Sequence, residues 1–241
     1  MKIKKSDGRF AGIVGQEYDR LLKALPHIPA LEEGVASAVR KGLQKNMIRS
    51  ATILDLGCGN GITTLALCAQ INNAHIIGVD IEPTMLKQYE SRVADVQNTV
   101  TMHQCDALEF LKGSAAHSFD VVVSGLVLHN LPKTMRAEII KEIARVLRPN
   151  AWFVNGDKIA HDDDKAHQQD LMRQFAKFTE VYSAPSDIAY GLEWIEHYVR
   201  DNQPDLKYTE SEIVHSLEVA GFKKIKIVKR YGMEALVVAD I

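Results

Sequence analysis

The stretch Ala51–Gly61, ATILDLGCGNG, decides the architecture. ATILDL reads as a strand, and Gly57-Cys58-Gly59-Asn60-Gly61 reads as a turn whose glycines admit backbone conformations closed to other residues. A helix from Ile62 to about Ile71 should follow, with Leu65, Ala66 and Leu67 among its buried residues. Strand, glycine turn and helix in that order make a ligand-binding opening in an open α/β sheet. The ligand sits beyond the carboxyl ends of the strands.

Working outward, the same alternation recurs. A second strand, His75–Val79, ends at Asp80, and Glu82-Pro83 reads as a helix start. A third, Val100–Gln104, ends at Cys105-Asp106. The fourth, Phe119–Ser124 (FDVVVS), is an unbroken apolar run of the kind buried on both faces of a parallel sheet. A helix over Lys133–Leu147, closed by Pro149-Asn150, leads to a fifth strand at Ala151–Asn155. Beyond Asp157 the alternation stops: Gln168–Tyr182 and Leu192–Arg200 place aromatics at helical spacing. A break at Asn202, Pro204 and Asp205 precedes a helix at Ser211–Ala220, which ends at Gly221 as a left-handed cap. Two strands, Lys223–Lys229 and Ala235–Ala239, then form a hairpin around Tyr231-Gly232. Phe10–Gly42 reads as helices with a break at Pro26 and Pro29.

The 241 residues carry 29 Lys and Arg against 31 Asp and Glu, and are 46% apolar and 25% charged. That composition excludes a disordered or collagen-like chain. The balance of charge argues against a general nucleic-acid binder, which carries a basic excess. Two short basic clusters (Lys2, Lys4 and Lys5; Lys223, Lys224 and Lys226) read as solvated surface. No apolar run reaches the roughly 20 residues that span a bilayer, and MKIKKSDGRF lacks the apolar core of a secretory signal. Three cysteines without a CxxC pair fit reduced thiols in a cytoplasmic protein.

Two ligand classes compete for the glycine turn: a dinucleotide and S-adenosylmethionine (SAM). Asp55, two residues before Gly57, would repel a pyrophosphate on the helix N-terminus and favour SAM's ammonium and sulfonium. Gly57-x-Gly59-x-Gly61 also departs from G-x-G-x-x-G, and no P-loop Lys follows. Asp80 suits a ribose under either reading. Asp106 is placed to accept from an adenine amino group. Ser124-Gly125-Leu126 ends the fourth strand, where a reacting methyl should lie.

Ile53–Gly61, the segment ending in Asp80, Cys105-Asp106, Phe119–Pro132 (FDVVVSGLVLHNLP) and Ala144–Trp152 together resemble the ordered motifs of class I SAM-dependent methyltransferases. The resemblance implies a Rossmann-like α/β fold. Its sheet is mostly parallel and seven-stranded with an antiparallel C-terminal strand, and a helical cap is inserted between strands five and six. It reads as a single domain over 1–241: N-terminal helices over the cofactor site (1–49), a SAM-binding core (50–157), the cap (158–205), and a final helix and hairpin (206–241). By position, Asp55, Gly57, Cys58 and Gly59 would line the methionine part of SAM. Asp80, Ile81 and Met85 would hold ribose and adenine, and Asp106 and Ala107 the adenine. Ser124 and Gly125 would lie near the methyl, and Tyr18 would close over the cofactor. The product would be S-adenosylhomocysteine.

A small-molecule acceptor is expected under the cap, with Leu126, Asn130, Tyr182, Trp194, Tyr198 and Arg200 lining its pocket. His129 is the candidate general base, weighed against a packed residue at a helix start. His161-Asp162-Asp163-Asp164 with His167 can be read as metal ligands or as a helix start, and the second is preferred, so no metal is expected. Arg200 reads either as a surface ion pair or, by a distant resemblance to carboxy-SAM synthase, as the binder of an acidic group. There is no Asn/Asp-Pro-Pro-Tyr motif, which weakens a DNA target. RNA- or protein-directed methylation, and a SAM-binding enzyme that transfers no methyl, stand as alternatives. Membrane association is not expected, and either a monomer or a homodimer fits.

Overall fold

The structure, a computed structural model, describes Gly8 and residues 10–241. The cluster Lys2, Lys4 and Lys5 lies outside the described residues. The chain opens with a single turn α1 (Ile13–Gln16), a 3₁₀ stretch over Tyr18–Lys23 and a long helix α2 (Ile28–Lys45). β1 (Ala51–Leu56), α3 (Ile62–Gln70), β2 (Ala74–Asp80), α4 (Pro83–Arg92), β3 (Thr99–Gln104), α5 (Ala107–Gly113) and β4 (Phe119–Gly125) follow. Then come α6 (Lys133–Val146), β5 (Leu147–Lys158), the cap helices α7 (Asp164–Val181) and α8 (Ile188–Asp201), α9 (Glu210–Val219), β6 (Lys223–Tyr231) and β7 (Glu234–Asp240).

The seven strands run in the order β3-β2-β1-β4-β5-β7-β6. β1 to β5 pair in parallel. β7 enters antiparallel between β5 and β6. The order reverses between β1 and β4, so the carboxyl ends of those strands splay apart there and leave the crevice in which open α/β sheets bind ligands. Apolar side chains fill both faces. Val35, Val39, Ile53 and Val123 belong to the side covered by α2, α3 and the cap. Leu54, Val122, Ile140 and Ile213 belong to the side covered by α5, α6 and α9. Among the described residues no helix is long and apolar enough to cross a membrane. Lys223, Lys224 and Lys226 are exposed.

Two local expectations are corrected. α6 ends at Val146, and the fifth strand begins at Leu147 and runs to Lys158, not Ala151–Asn155. Pro149 does not stop it because the chain pivots at Asn150, in the left-handed region (φ 65°), while Leu147 already pairs with Phe119. At the far end a ladder to β7 as far as Lys158–Glu234 holds Asn155–Lys158 extended. The helix α5 was not anticipated; Asp106 nucleates it by accepting the amides of Leu108 and Glu109 at 2.9 and 3.1 Å.

Candidate functional site

A cavity of about 710 Å³ opens at the carboxyl ends of β1, β2 and β4, within the size range of small-molecule sites. The glycine turn forms its floor. Gly57 adopts φ +71°, and a Cβ there would lie 2.4 Å from the Val127 side chain. Asp80 staples the turn to β2: Oδ2 accepts the Gly59 amide at 2.9 Å and Oδ1 the Glu82 amide at 2.8 Å. Burial raises the Asp80 carboxyl above its ordinary value, against the hydrogen bonds it accepts. Cys58 also faces the cavity. Burial drives its thiol far up, which leaves it protonated and unreactive.

Of the expected residues, Tyr18, Gly57, Cys58, Gly59, Asp80 and Ile81 line the cavity, as do Met85, Asp106, Gly125, Leu126, Asn130 and Arg200. The cap thus contributes Arg200, and the segment after it adds Gln203, Asp205 and Leu206. Leu126, at the end of β4, holds φ 58° without being glycine, a strained backbone of the kind concentrated at functional sites. Its amide donates to Gly156 O at 2.8 Å, and the Asn130 amide donates to its carbonyl at 3.0 Å. Asn130 therefore braces this turn as well as facing the cavity.

Other expected residues lie elsewhere. Asp55 is fully buried beneath the glycine turn and is no part of the wall. The Thr64 hydroxyl donates to its Oδ2 at 2.6 Å, Oδ1 has no partner, and burial raises the carboxyl to about 7. Ser124 is fully buried one residue short of the opening, and Ala107 begins α5 behind Asp106; neither lines the cavity. Tyr182 packs against Tyr190 and donates to Arg20 O at 2.6 Å, anchoring the cap to the N-terminal segment. Trp194 and Tyr198 face a second, small cavity.

His129 is turned from the main cavity. Asp157, at the end of β5, accepts the Leu128 and His129 amides at 2.9 and 3.3 Å and holds the imidazole Nδ1 at 2.5 Å. That clasp draws the ring behind the wall, so it is no longer placed as the base. The His161–Asp164 segment converges on no common point. His161 pairs with Asp170, Asp163 caps α7, Asp164 pairs with Lys207, and His167 bonds Asn202. It is the start of a helix.

Glu32 was missed. It stands on α2 four residues after Ile28, inside the apolar stripe Ile28, Leu31, Val35 and Val39, and a charge on such a face is its one sequence signal. The Thr63 hydroxyl donates to its Oε2 at 2.8 Å, and burial raises its carboxyl to about 8. Gly125 exists to admit this pair: a Cβ there would lie 2.4 Å from Thr63 Oγ1 and 3.0 Å from Glu32 Oε1.

The described wall holds Glu32, Asp80, Glu82, Asp106 and Asp205 against one cation, Arg200. An acidic crevice with the unpaired Asp55 oxygen beneath it suits a ligand bearing positive charge, as SAM does, and disfavours a pyrophosphate.

Residues 53–150 match a family model described as a methyltransferase domain. A demethylmenaquinone methyltransferase of Lactobacillus johnsonii is 28% identical over 224 residues, covering 88% of this chain and 86% of the relative. A carboxy-S-adenosyl-L-methionine synthase of Helicobacter pylori is 26% identical over 223 residues, covering 92% and 88%. Among solved structures, an O-methyltransferase family protein of Burkholderia thailandensis superposes with TM-score 0.65 at 16% identity. That alignment covers 98% of this chain but 62% of the larger one, and shows a shared fold. Together the strand order, the methyltransferase-domain match over residues 53–150 and these relatives support a class I SAM-dependent methyltransferase, an enzyme whose cofactor is S-adenosylmethionine.

Proposed function

We propose that this enzyme methylates a small-molecule acceptor seated between the cap and the end of β4. One observation carries the reading. A single cavity joins the cofactor features, Gly57–Gly59, Asp80 and Asp106, to Asn130, Arg200 and Leu206 on the acceptor side. An acceptor walled in this way has to be small, which distinguishes it from an RNA or a folded protein. Leu131, Pro132, Met135 and Leu206 make part of that side apolar.

When bound, SAM supplies a methyl group on a sulfonium sulfur, open to in-line displacement. The chain's part is alignment, and orientation alone can lower such a barrier by several kcal/mol. The glycine turn admits the ligand to close backbone contact. Asp80 is the ribose acceptor, and Asp106, which caps α5 through Oδ1, offers its other oxygen to the adenine edge. Glu32 and Thr63 sit against Gly125, where the β4 end meets the reacting region, and favour positive charge there. The braced turn Leu126–Asn130 positions the acceptor. With His129 withdrawn, the reading needs an acceptor whose nucleophile carries no proton, or loses it to a cavity carboxylate.

Arg200 favours a second reading, in which the ligand bears an acidic group, as the named product of the Helicobacter relative does. The test is a thermal-shift panel with SAM, S-adenosylhomocysteine, carboxy-SAM and NAD. Methyl-labelled SAM is then incubated with extract separated by size. Stabilisation by SAM and its demethylated product, with label entering the low-mass fraction, supports the proposal. Label in macromolecules, or a preference for carboxy-SAM without methyl release, refutes it. Work in the cytoplasm fits this reading.

A further inference from the structure

Behind the cavity wall lies a second chamber of about 20 Å³, lined by His129, Lys158, His197, Tyr198 and Glu234 among others. It is large enough for one water or ion. Two of the side chains around it, His129 and His197, converge with Asp201 beside it. His197 and Asp201, four apart on α8, share one helix face, and His129 reaches them from the turn after β4. Each offers one ligating atom, all within 4.8 Å of one another, and all three residues are buried. His197 Nε2 lies 3.3 Å and His129 Nε2 3.9 Å from Asp201 Oδ2. A tetrahedral ion with bonds of about 2.0–2.1 Å sets its ligand atoms about 3.3 Å apart, so a contraction of up to about 1.5 Å between atoms now within 4.8 Å would complete the set.

Two further features point to a cation. The Asp157 carboxylate holds His129 Nδ1 at 2.5 Å, which fixes the proton there and leaves Nε2 as a lone-pair donor. This carboxylate–imidazole support is typical of metal-bound histidine. The second is charge. Asp157, Asp201 and Glu234 are three buried carboxylates, and the one buried ammonium among them is Lys158, paired with Asp201 and 3.9 Å above the Tyr198 ring. Glu234 already has His27 Nε2 at 2.9 Å and the Tyr198 hydroxyl as partners, so the excess of negative charge lies at Asp157 and Asp201, beside the two imidazoles, where a divalent cation would offset it.

We infer that His129, His197 and Asp201 form a binding site for a divalent transition-metal ion of the zinc type, with water in the small chamber as fourth ligand. Two nitrogens and one carboxylate oxygen suit such an ion better than Mg²⁺ or Ca²⁺. The bound ion would tie α8 to the turn that follows β4, and so hold the cap against the sheet. Lys158 is its competitor for Asp201, since an ammonium on that oxygen opposes a second cation. The site is independent of the methyl-transfer reading, and either can fail without the other.

The test uses the full chain stripped with chelator, then equilibrated with Zn²⁺ alone and assayed for bound metal by elemental analysis. One ion per chain is expected, with Tm raised by about 5–10 °C at a hundredfold excess over Kd. His197→Ala should abolish stoichiometric binding, Asp157→Asn should weaken it about 10- to 100-fold, and Lys158→Met should tighten it. Far-UV circular dichroism and SAM binding check that each variant is folded. Co²⁺ should give a visible spectrum of low coordination number in the parent chain and lose it in His197→Ala. Less than stoichiometric Zn²⁺ in the parent chain, Zn²⁺ retained by a folded His197→Ala, or weaker binding in a folded Lys158→Met overturns the assignment.

Discussion

Glu32 offers the most demanding test of the cofactor site. Its side chain is almost sealed, and burial lifts its carboxyl to about 8. The Thr63 hydrogen bond opposes the shift, and Asp55 and Asp157 add to it. A cation in the cavity favours the ionised form, so SAM is expected to draw a proton from Glu32 on binding. At pH 6 such a group is only about 1% ionised, and binding that requires the carboxylate forfeits about 2.7 kcal/mol, roughly 100-fold in affinity. The affinity ratio of wild type to Glu32→Gln should therefore rise about tenfold from pH 6 to 7 and level off above about 8.5. Taking the ratio cancels titration of the ligand itself. Calorimetry in two buffers of different ionisation enthalpy should find close to one proton released per SAM near pH 7, and almost none in the Gln variant. A ratio independent of pH, or equal proton release in both proteins, would refute the placement of Glu32 beside the cofactor's charge. The sign for stability follows from the same shift. A folded-state value above the ordinary 4.5 means the contribution is complete below about 4.5 and is lost as pH rises through 8. Without ligand, Tm should fall over that interval, and less steeply in Glu32→Gln. Asp55, raised to about 7 and closed off beneath the turn, adds to the fall in stability in both proteins.

Two further substitutions probe the frame. Gly57→Ala meets a positive φ and the Val127 methyls. It should cost about 2–5 kcal/mol from the left-handed backbone and overpacking together and abolish SAM binding by calorimetry. Adding Val127→Ala should restore only the packing part. Arg136, with no exposed surface, pairs with Glu212 and donates to the carbonyls of Leu131, Leu206 and Lys207. It thereby holds the segment that follows the cap against α6. Arg136→Ala should cost about 3–5 kcal/mol by uncovering a buried charge, seen as a Tm drop of about 6–20 °C. Arg136→Lys should rescue little, since one ammonium cannot reproduce the planar fork. Hydrogen exchange at residues 206–207 should quicken before the sheet does.

What could be read from the chain was whatever rests on strand ends. Asp80 and Gly125 end their strands, and Gly57 and Asp106 follow theirs within two residues, so finding the strand finds the residue. Gly156–Lys158 misled because a polar GDK reads as loop, and only pairing with Leu236, Ala235 and Glu234, about 80 residues away, extends it. Arg136 depends on how helices dock, which no local signal encodes, and Glu32 is marked only as a charge inside the apolar stripe of α2. His129 lies where expected along the chain, yet its ring follows Asp157 on another strand. The cap aromatics were correctly read as helical, but Tyr182 and Trp194 stack with Phe178 and Tyr190 rather than facing the main cavity.

That stacking bears on how the site opens. The Tyr182 hydroxyl donates to Arg20 O at 2.6 Å and the Tyr190 hydroxyl to Glu17 O at 2.9 Å, while the Arg20 guanidinium lies 4.4 Å over the Tyr190 ring. The N-terminal segment that carries Tyr18 over the cofactor side and the cap that carries Arg200 over the acceptor side are therefore one packed layer. A layer joined by part-buried, directional hydrogen bonds does not slide as an apolar contact can; its bonds are either made or exchanged for water. On the proposed placement, cofactor and acceptor would share one cover, and exchange of either would require the whole layer to lift. Tyr190→Phe, which removes one bond and leaves the ring, should loosen both coverings together. Release of S-adenosylhomocysteine in stopped flow should quicken in parallel with hydrogen exchange in α8. Faster release with α8 exchange unchanged would show that the two covers move separately.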